Sequence, residues 1–379
     1  VTLTVSPSST TIPLPGDGSP DITFELWAVV DDGGTCPSFL RSEASWSSSD
    51  LRVATVNRFG VVTPRNAGTA VITAELDGRS ATTTITVAGV LHERTLVVDG
   101  VTLSDTLYEP EGQIGARPLM LSLHGGGGNA AQQMRTSQFI PVAAVEGVYV
   151  AYGNGTGALQ TWNGGACCGS AAANDVDDVA YARAVVDAVS AAVDVDADRV
   201  YATGHSNGGI MSNRLGCEAS DVFAAIAPVD AGLNRDGVDF VACTPTRPVP
   251  ALMVHGTTDE NYPVAGGAGG IGTPDSLFLP DDAPSGEDTL SIWQGIHGVG
   301  VEGVVTLTQG IMTCTSYGSD VVFCLLDPPL QKKVGDVVCD GGGHAWPGGV
   351  KSPQDAADVP AVDVDGSGAI WDFFAAHPR

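Results

Sequence analysis

Ser206 stands in Gly204-His205-Ser206-Asn207-Gly208, directly after the strand-like run 199–203 and directly before the helix-like run 209–215. A serine hydroxyl attacks a carbonyl only when it is held exposed and handed to a base. G-x-S-x-G between strand and helix does the first part, because the serine sits on a turn too sharp for side chains at the flanking glycines. The chemistry this allows is acyl transfer through a covalent serine ester. The pentapeptide by itself also occurs as an incidental serine in a glycine-rich loop, so the other parts of such a site must be sought.

An oxyanion-stabilising loop is the first of them. The apolar run 118–123 leads into His124-Gly125-Gly126-Gly127-Gly128-Asn129, where bare backbone can approach a substrate closely. An N–H near Gly126 and the N–H of Asn207 are the expected donors to the oxyanion. A phosphate-cradling loop is excluded, since no Gly-Lys-Ser/Thr follows.

The base must come from seven histidines, and chain order selects it. In a strand–turn–helix serine site the order is nucleophile, acid, histidine. His92, His124, His205 and His255 come too early, and His377 lies at the fraying end. His297 falls at the end of a helical stretch and reads as a packing or surface residue. His344, in the glycine-bracketed loop 340–349 after Val337-Val338, is the expected base. The acid should end another buried strand: 250–254 runs into Asp259, which is preferred over Asp230, after the strand-like 223–228, and over Glu260. Trp162 and Trp346, with His124 and His205, are the candidate substrate-binding residues; for each tryptophan, ordinary core packing is the competing reading. The Gly-, Pro- and Asp-rich stretch 261–287 is long enough for a lid.

Positioning these groups requires a sheet. From residue 93 onward strand-like and helix-like segments alternate, which predicts an α/β fold with a mostly parallel sheet covered on both faces. The helix after Asp175 repeats Val176, Val179, Val186 and Val189 at helical spacing. Asp175, Asp177 and Asp178 sit where the positive end of its dipole favours them, and neither they nor the aspartates of 194–198 and 363–365 have the spacing of a metal site. No metal or cofactor is expected. Residues 1–88 differ: short, β-branched, alternating runs separated by Pro, Gly, Asp and Ser turns predict a small β-sandwich, joined by a linker at 89–92 to a catalytic domain over 93–379.

Six motifs now carry a resemblance. Leu123–Asn129, Trp162-Asn163-Gly164-Gly165-Ala166-Cys167-Cys168-Gly169, Asp177-Asp178-Val179, Gly204–Gly209, His255-Gly256-Thr257-Thr258-Asp259 and Gly342–Gly348 occur in an order similar to the polyhydroxybutyrate depolymerase and feruloyl esterase family of secreted α/β-hydrolases, from about residue 92 to the end. The resemblance implies an α/β-hydrolase fold and hydrolysis of polyester, acetylated or feruloylated polysaccharide, or related aryl esters. Two departures stand out: no cysteine near 293–298, and extra sequence at 326–335. The stretch 45–70 resembles bacterial immunoglobulin-like group-two domains, for which a polymer- or cell-surface-binding role and a spacer role are both open. A serine peptidase of the same fold and a non-catalytic adhesion protein are the rival functions.

Composition bounds the partners. The net charge is −27, with nine acids and five bases before residue 88, so four of the net negative charges lie there and 23 in the remainder. That surface repels nucleic acid and anionic membranes and suits a saline setting, where stability would rise with salt; compositional bias is the alternative. No apolar run has membrane-spanning length, and Val1 already opens a strand-like segment, so a secreted protein is expected in its mature form. Eight cysteines without metal spacing favour an oxidising compartment. Cys217 is expected to pair with Cys243 and Cys314 with Cys324. Cys36, Cys167, Cys168 and Cys339 remain, either as Cys168–Cys339 and Cys36–Cys167 or with a vicinal Cys167–Cys168 bridge.

Overall fold

Successive residues of a strand face opposite sides, and the central strands here are apolar on both. Leu119, Leu121 and Leu123 join one buried cluster with the helix residues Val179, Val185, Met211, Leu215 and Trp293. Met120 and Tyr201 point the other way, to a cluster with Met134, Phe139, Ile140, Trp371 and Phe374. The result is an α/β-hydrolase fold, a sheet layered between two sets of helices. The computed structural model describes the chain except residues 17–21, 35, 99, 113, 166, 234–242, 268, 270–282, 330–331 and 353–357. About half of the candidate lid at 261–287 therefore lies outside the described residues.

The large mixed sheet has six parallel strands at its centre, in the order Val321–Leu326, Ala251–Gly256, Ala225–Val229, Val195–His205, Arg117–Leu123 and Tyr149–Gly153. Antiparallel strands extend both edges: Met312–Tyr317 and Val304–Gln309 on one side, Val101–Glu109 and Arg79–Val98 on the other. The carboxyl ends of Val195–His205, Ala225–Val229 and Ala251–Gly256 are neighbours, so residues just beyond them meet.

The residues up to about 88 form an all-β module around Ile12, Leu26, Val62, Ile72, Ile85 and Val87. The linker expected at 89–92 is instead strand: Arg79–Val98 runs unbroken from the module into the catalytic part, pairing with Gly68–Leu76, Ser9–Pro15 and Val101–Glu109. Alternation explains it, since Val87 and Leu91 stay buried on either side of the expected boundary. Gly89 takes φ 74° beside the register shift between Val87 and Val90, where a Cβ would strike the Tyr108 ring. Four disulfides are present: Cys36–Cys339, Cys167–Cys168, Cys217–Cys243 and Cys314–Cys324. Of the alternatives for the last four cysteines, the vicinal bridge is adopted, which leaves Cys36 for Cys339 rather than Cys167.

Candidate active site

Ser206 occupies the one-residue turn between strand Val195–His205 and helix Asn207–Glu218, with φ 55° and ψ −122°. Non-glycine residues pay for such geometry, about 1–3 kcal/mol, and hold it only where packing insists. Packing insists here: a Cβ on Gly204 would strike the Gly208 backbone, and one on Gly208 would strike the Leu123 and His124 carbonyls. The strand, the helix and the oxyanion loop are thereby pressed together around the serine.

The loop itself is fixed by His124. Its Nε2 accepts from Gly155 N (2.9 Å), so Nδ1 carries the hydrogen and donates to Gly125 O (2.7 Å). Burial holds this imidazole down to about 4, which keeps it neutral. Gly127 N and Gly128 N are committed to Gln160 O (3.0 Å) and Gly125 O (2.9 Å), so neither serves an oxyanion. Gly126 and Asn207 both line the cavity above Ser206. The Asn207 side chain grips the Trp162 backbone from both sides, accepting from its N–H (2.8 Å) and donating to its carbonyl (2.9 Å).

Asp259 follows strand Ala251–Gly256 and is buried. Its Oδ1 accepts from Asn261 N (2.8 Å) and Tyr262 N (2.9 Å), and its Oδ2 accepts from His344 Nδ1 (2.7 Å). With Nδ1 engaged by Asp259, Nε2 of His344 is the ring nitrogen open to proton exchange. Glycines allow the approach, since a Cβ on Gly256 would strike Gly342, and Thr258 N donates to Gly342 O (2.9 Å). Burial alone would lower the His344 pKa, but the carboxylates of Asp259, Asp230 and Asp358 outweigh it and push it up to about 9. Asp358 also sets the loop, accepting from His344 N and Val338 N (both 2.7 Å).

Asp230 forms a second, neighbouring pair. It accepts from Gly256 N (3.0 Å), and its other oxygen lies 3.3 Å from His205 Nε2. The rings of His205 and His344 face each other with centroids 4.6 Å apart. Burial pushes the Asp230 carboxyl up, and His205, His255 and His344 more than offset it, holding it below the usual carboxylate range.

A cavity of about 400 Å³ is lined by Ser206, His344, His205, Gly125–Gly128, Ile210, Trp346, Val350 and Asp358 among others. Ser206 and His344 share this cavity, and no hydrogen bond joins their side chains in the resting geometry; such contacts often tighten only when substrate is bound. Trp346 forms part of its wall, its indole N–H held by Ser367 Oγ (2.9 Å). Trp162 does not face it. That ring is 1% exposed, stacks on Tyr181 and donates to His124 O (2.9 Å), so it supports the oxyanion loop from the core. His124 lines the cavity with both ring nitrogens already committed to backbone. Glu260 points away to Lys333, and His297 packs on Val249 O. Sequence reasoning missed Asp358, which no local motif marks.

The fold, with its strand–serine–helix turn at the centre of the sheet, defines an α/β-hydrolase. The sequence profile of the prolyl oligopeptidase family matches residues 134–236. Feruloyl esterase B of Piromyces equi is 39% identical over 154 residues, covering 40% of this chain and 28% of its own length. The "Putative esterase NocK" of Nocardia uniformis subsp. tsuyamanensis is 31% identical over 254 residues, 67% of this chain and 71% of its own. Among solved structures, an acetyl xylan esterase from Aspergillus awamori superposes with a TM-score of 0.51 at 15% identity, covering 75% of this chain and 98% of its own, which reports on fold. The chain belongs to the esterase family that the Nocardia relative represents, carboxylic-ester hydrolases on the α/β-hydrolase fold.

Proposed function

We propose that this protein is a secreted serine esterase in which Ser206, His344 and Asp259 act together. The observation that carries the reading is the Asp259–His344 hydrogen bond of 2.7 Å at the rim of a cavity that also holds Ser206. His344 Nε2 takes the hydroxyl proton as Ser206 Oγ bonds to the ester carbon, and the carbonyl electrons move onto oxygen. The N–H groups of Gly126 and Asn207 hold that oxyanion, a contribution of roughly 3–4 kcal/mol per donor. The imidazolium then protonates the departing alkoxide, leaving an acyl-Ser206 ester. Water repeats the cycle, giving its proton to His344 and releasing the acid.

The substrates that fit this reading are feruloyl or acetyl esters of polysaccharides, or polyesters. Relatives named for feruloyl and acetylxylan esters support the first group, and a cavity large enough for one acyl group beside Trp346 accommodates either. Four disulfides support an oxidising, extracellular setting, and no helix among the described residues is long and apolar enough to cross a membrane. The test is a panel of p-nitrophenyl esters, methyl ferulate, acetylated xylan, polyhydroxybutyrate and peptide anilides, with Ser206→Ala as control. Ester turnover abolished by the control is expected. Turnover of anilides alone would move the reading to a peptidase, and turnover surviving Ser206→Ala would overturn it.

A further inference from the structure

Three groups must meet at this site, and the main sheet delivers only two. Ser206 ends one central strand and Asp259 follows its second neighbour. His344 has no such support. After the last central strand, Val321–Leu326, the chain leaves the sheet and returns through a small hairpin, Lys333–Val334 against Val337–Val338, that joins no other strand among the described residues. The loop that carries His344 begins immediately after this hairpin, at Cys339.

Both ends of that loop are fastened to the N-terminal β module. At the start, Cys339 is bonded to Cys36, a residue 303 positions away and the one cysteine in the module. At the other end, Val350 is 6% exposed within the module's own buried cluster, with Ile12, Leu26 and Val62, and it also lines the active-site cavity. Beside it the Lys351 ammonium lies 5.9 Å from the centre of the Phe39 ring, on the same module strand that follows Cys36. Between and beside these anchors the catalytic part also holds the loop, at its centre through Asp259, Asp358 and Thr258 and towards its end through Ser367, Ala361 and Thr136.

We propose that the N-terminal β module is a positioning element of the active site, clamping the His344 loop at Cys339 and at Val350 so that the imidazole stays on Asp259 and over Ser206. The inference rests on the catalytic reading above and assigns the module a role other than binding polymer or acting as a spacer. A loop that enters from outside the main sheet has many conformations, and each anchor removes some of them. Small misplacements of a catalytic group carry large rate penalties, so the effect falls on turnover more than on substrate binding.

The test uses the full-length protein with the double variant Cys36→Ser/Cys339→Ser, compared with Cys314→Ser/Cys324→Ser, which opens a bridge between two strands near the far edge of the sheet. Removing the clamp is expected to lower kcat about tenfold or more, with KM changed much less. The rising limb of the pH profile should also move to lower pH. His344 is faced by Asp259, Asp230, Asp358 and the ring of His205, and loosening its contact with Asp259 removes the largest of the charges that favour its protonated form. The control pair should leave both readouts unchanged.

Phe39→Ala keeps all four bridges and Phe39 itself does not line the cavity, so it reports through the loop even if the double variant does not fold. A fall in kcat of a few fold, with the same direction of pH shift, is expected. Unchanged kcat and pH profile in Phe39→Ala and in a folded, bridge-free double variant would overturn the proposal, as would equal losses in the control pair. An inactive wild type, or activity surviving Ser206→Ala, would instead refute the catalytic reading on which this one rests.

Discussion

Two imidazole–carboxylate pairs stand side by side in this molecule, built from the same residue types on adjacent strand ends. In one, Asp259 takes two backbone N–H groups on one oxygen and His344 at 2.7 Å on the other. In the second, Asp230 takes one backbone N–H and lies 3.3 Å from His205, at a left-handed φ of 50°. Both carboxylates are buried, so burial does not separate them. What differs is where the partner histidine can go. His205 precedes the nucleophile and is bound to its strand, with Nε2 turned to Asp230. His344 arrives on a glycine-rich loop, and holding Nδ1 on Asp259 leaves Nε2 for a proton transfer. Composition cannot make that distinction; the direction of approach does.

The widest separation between the pairs is expected on amide substitution. Asp259→Asn should lower kcat by on the order of 10³–10⁴, because the amide no longer accepts from Nδ1 and the imidazole loses the tautomer it needs. Asp230→Asn should cost about tenfold or less. Steady-state kinetics on a p-nitrophenyl ester decides it, and equal losses, or a larger loss at Asp230, would erase the assignment of roles.

The pH profile sharpens the same contrast. The base must be neutral to accept a proton, and His344 is pushed up to about 9 from an ordinary value of 6.5. The kcat/KM limb should therefore rise with pH at a midpoint above that of an unperturbed imidazole. Asp230→Asn removes a negative charge that favours the imidazolium, so its limb should move to lower pH while the maximal rate changes little. A pKa raised by folding is also a stability statement. The stabilisation from the charged His344 is complete below about 6.5 and is lost as pH rises through about 9. Urea midpoints measured across that window should fall in the wild type and stay flatter in His344→Gln.

How much of this was legible in the sequence follows from how local each constraint is. The nucleophile turn and the oxyanion loop are each written in consecutive residues, 204–208 and 124–129, although the collision that Gly208 avoids, with the Leu123 and His124 carbonyls, lies between the two. His344 emerges by elimination and chain order, and Asp259 by order and strand end. The rest depends on meetings in space. Trp162 reads as a substrate platform until its indole is seen under the oxyanion loop, and Asp358 has no motif around it. The strand through 89–92 resembles a linker because Gly89 is there to make a bulge, not a break. The Cys36–Cys339 bridge joins points 303 residues apart, and spacing alone left it among several pairings.

The smallest expected effect concerns His205, and it separates a positioning role from a catalytic one. His205→Gln keeps a donor near Asp230 but removes the ring that faces His344 at 4.6 Å. If His205 relayed protons, turnover should collapse as is expected for His344→Gln. If it holds the Asp230 carboxylate and packs against the working imidazole, kcat should change by only about two- to fivefold. Stability should then respond more than rate. Asp230 sits in a left-handed turn where its carboxylate is fixed by Gly256 N, and a poorer partner leaves a buried charge less well satisfied. A loss of about 1–3 kcal/mol is expected for His205→Leu, which offers no hydrogen bond at all, and less for His205→Gln. Urea denaturation of the two variants beside their kcat values gives the answer. Glutamine and leucine variants equal in stability but dead in turnover would make His205 part of the chemistry and the two pairs equivalent.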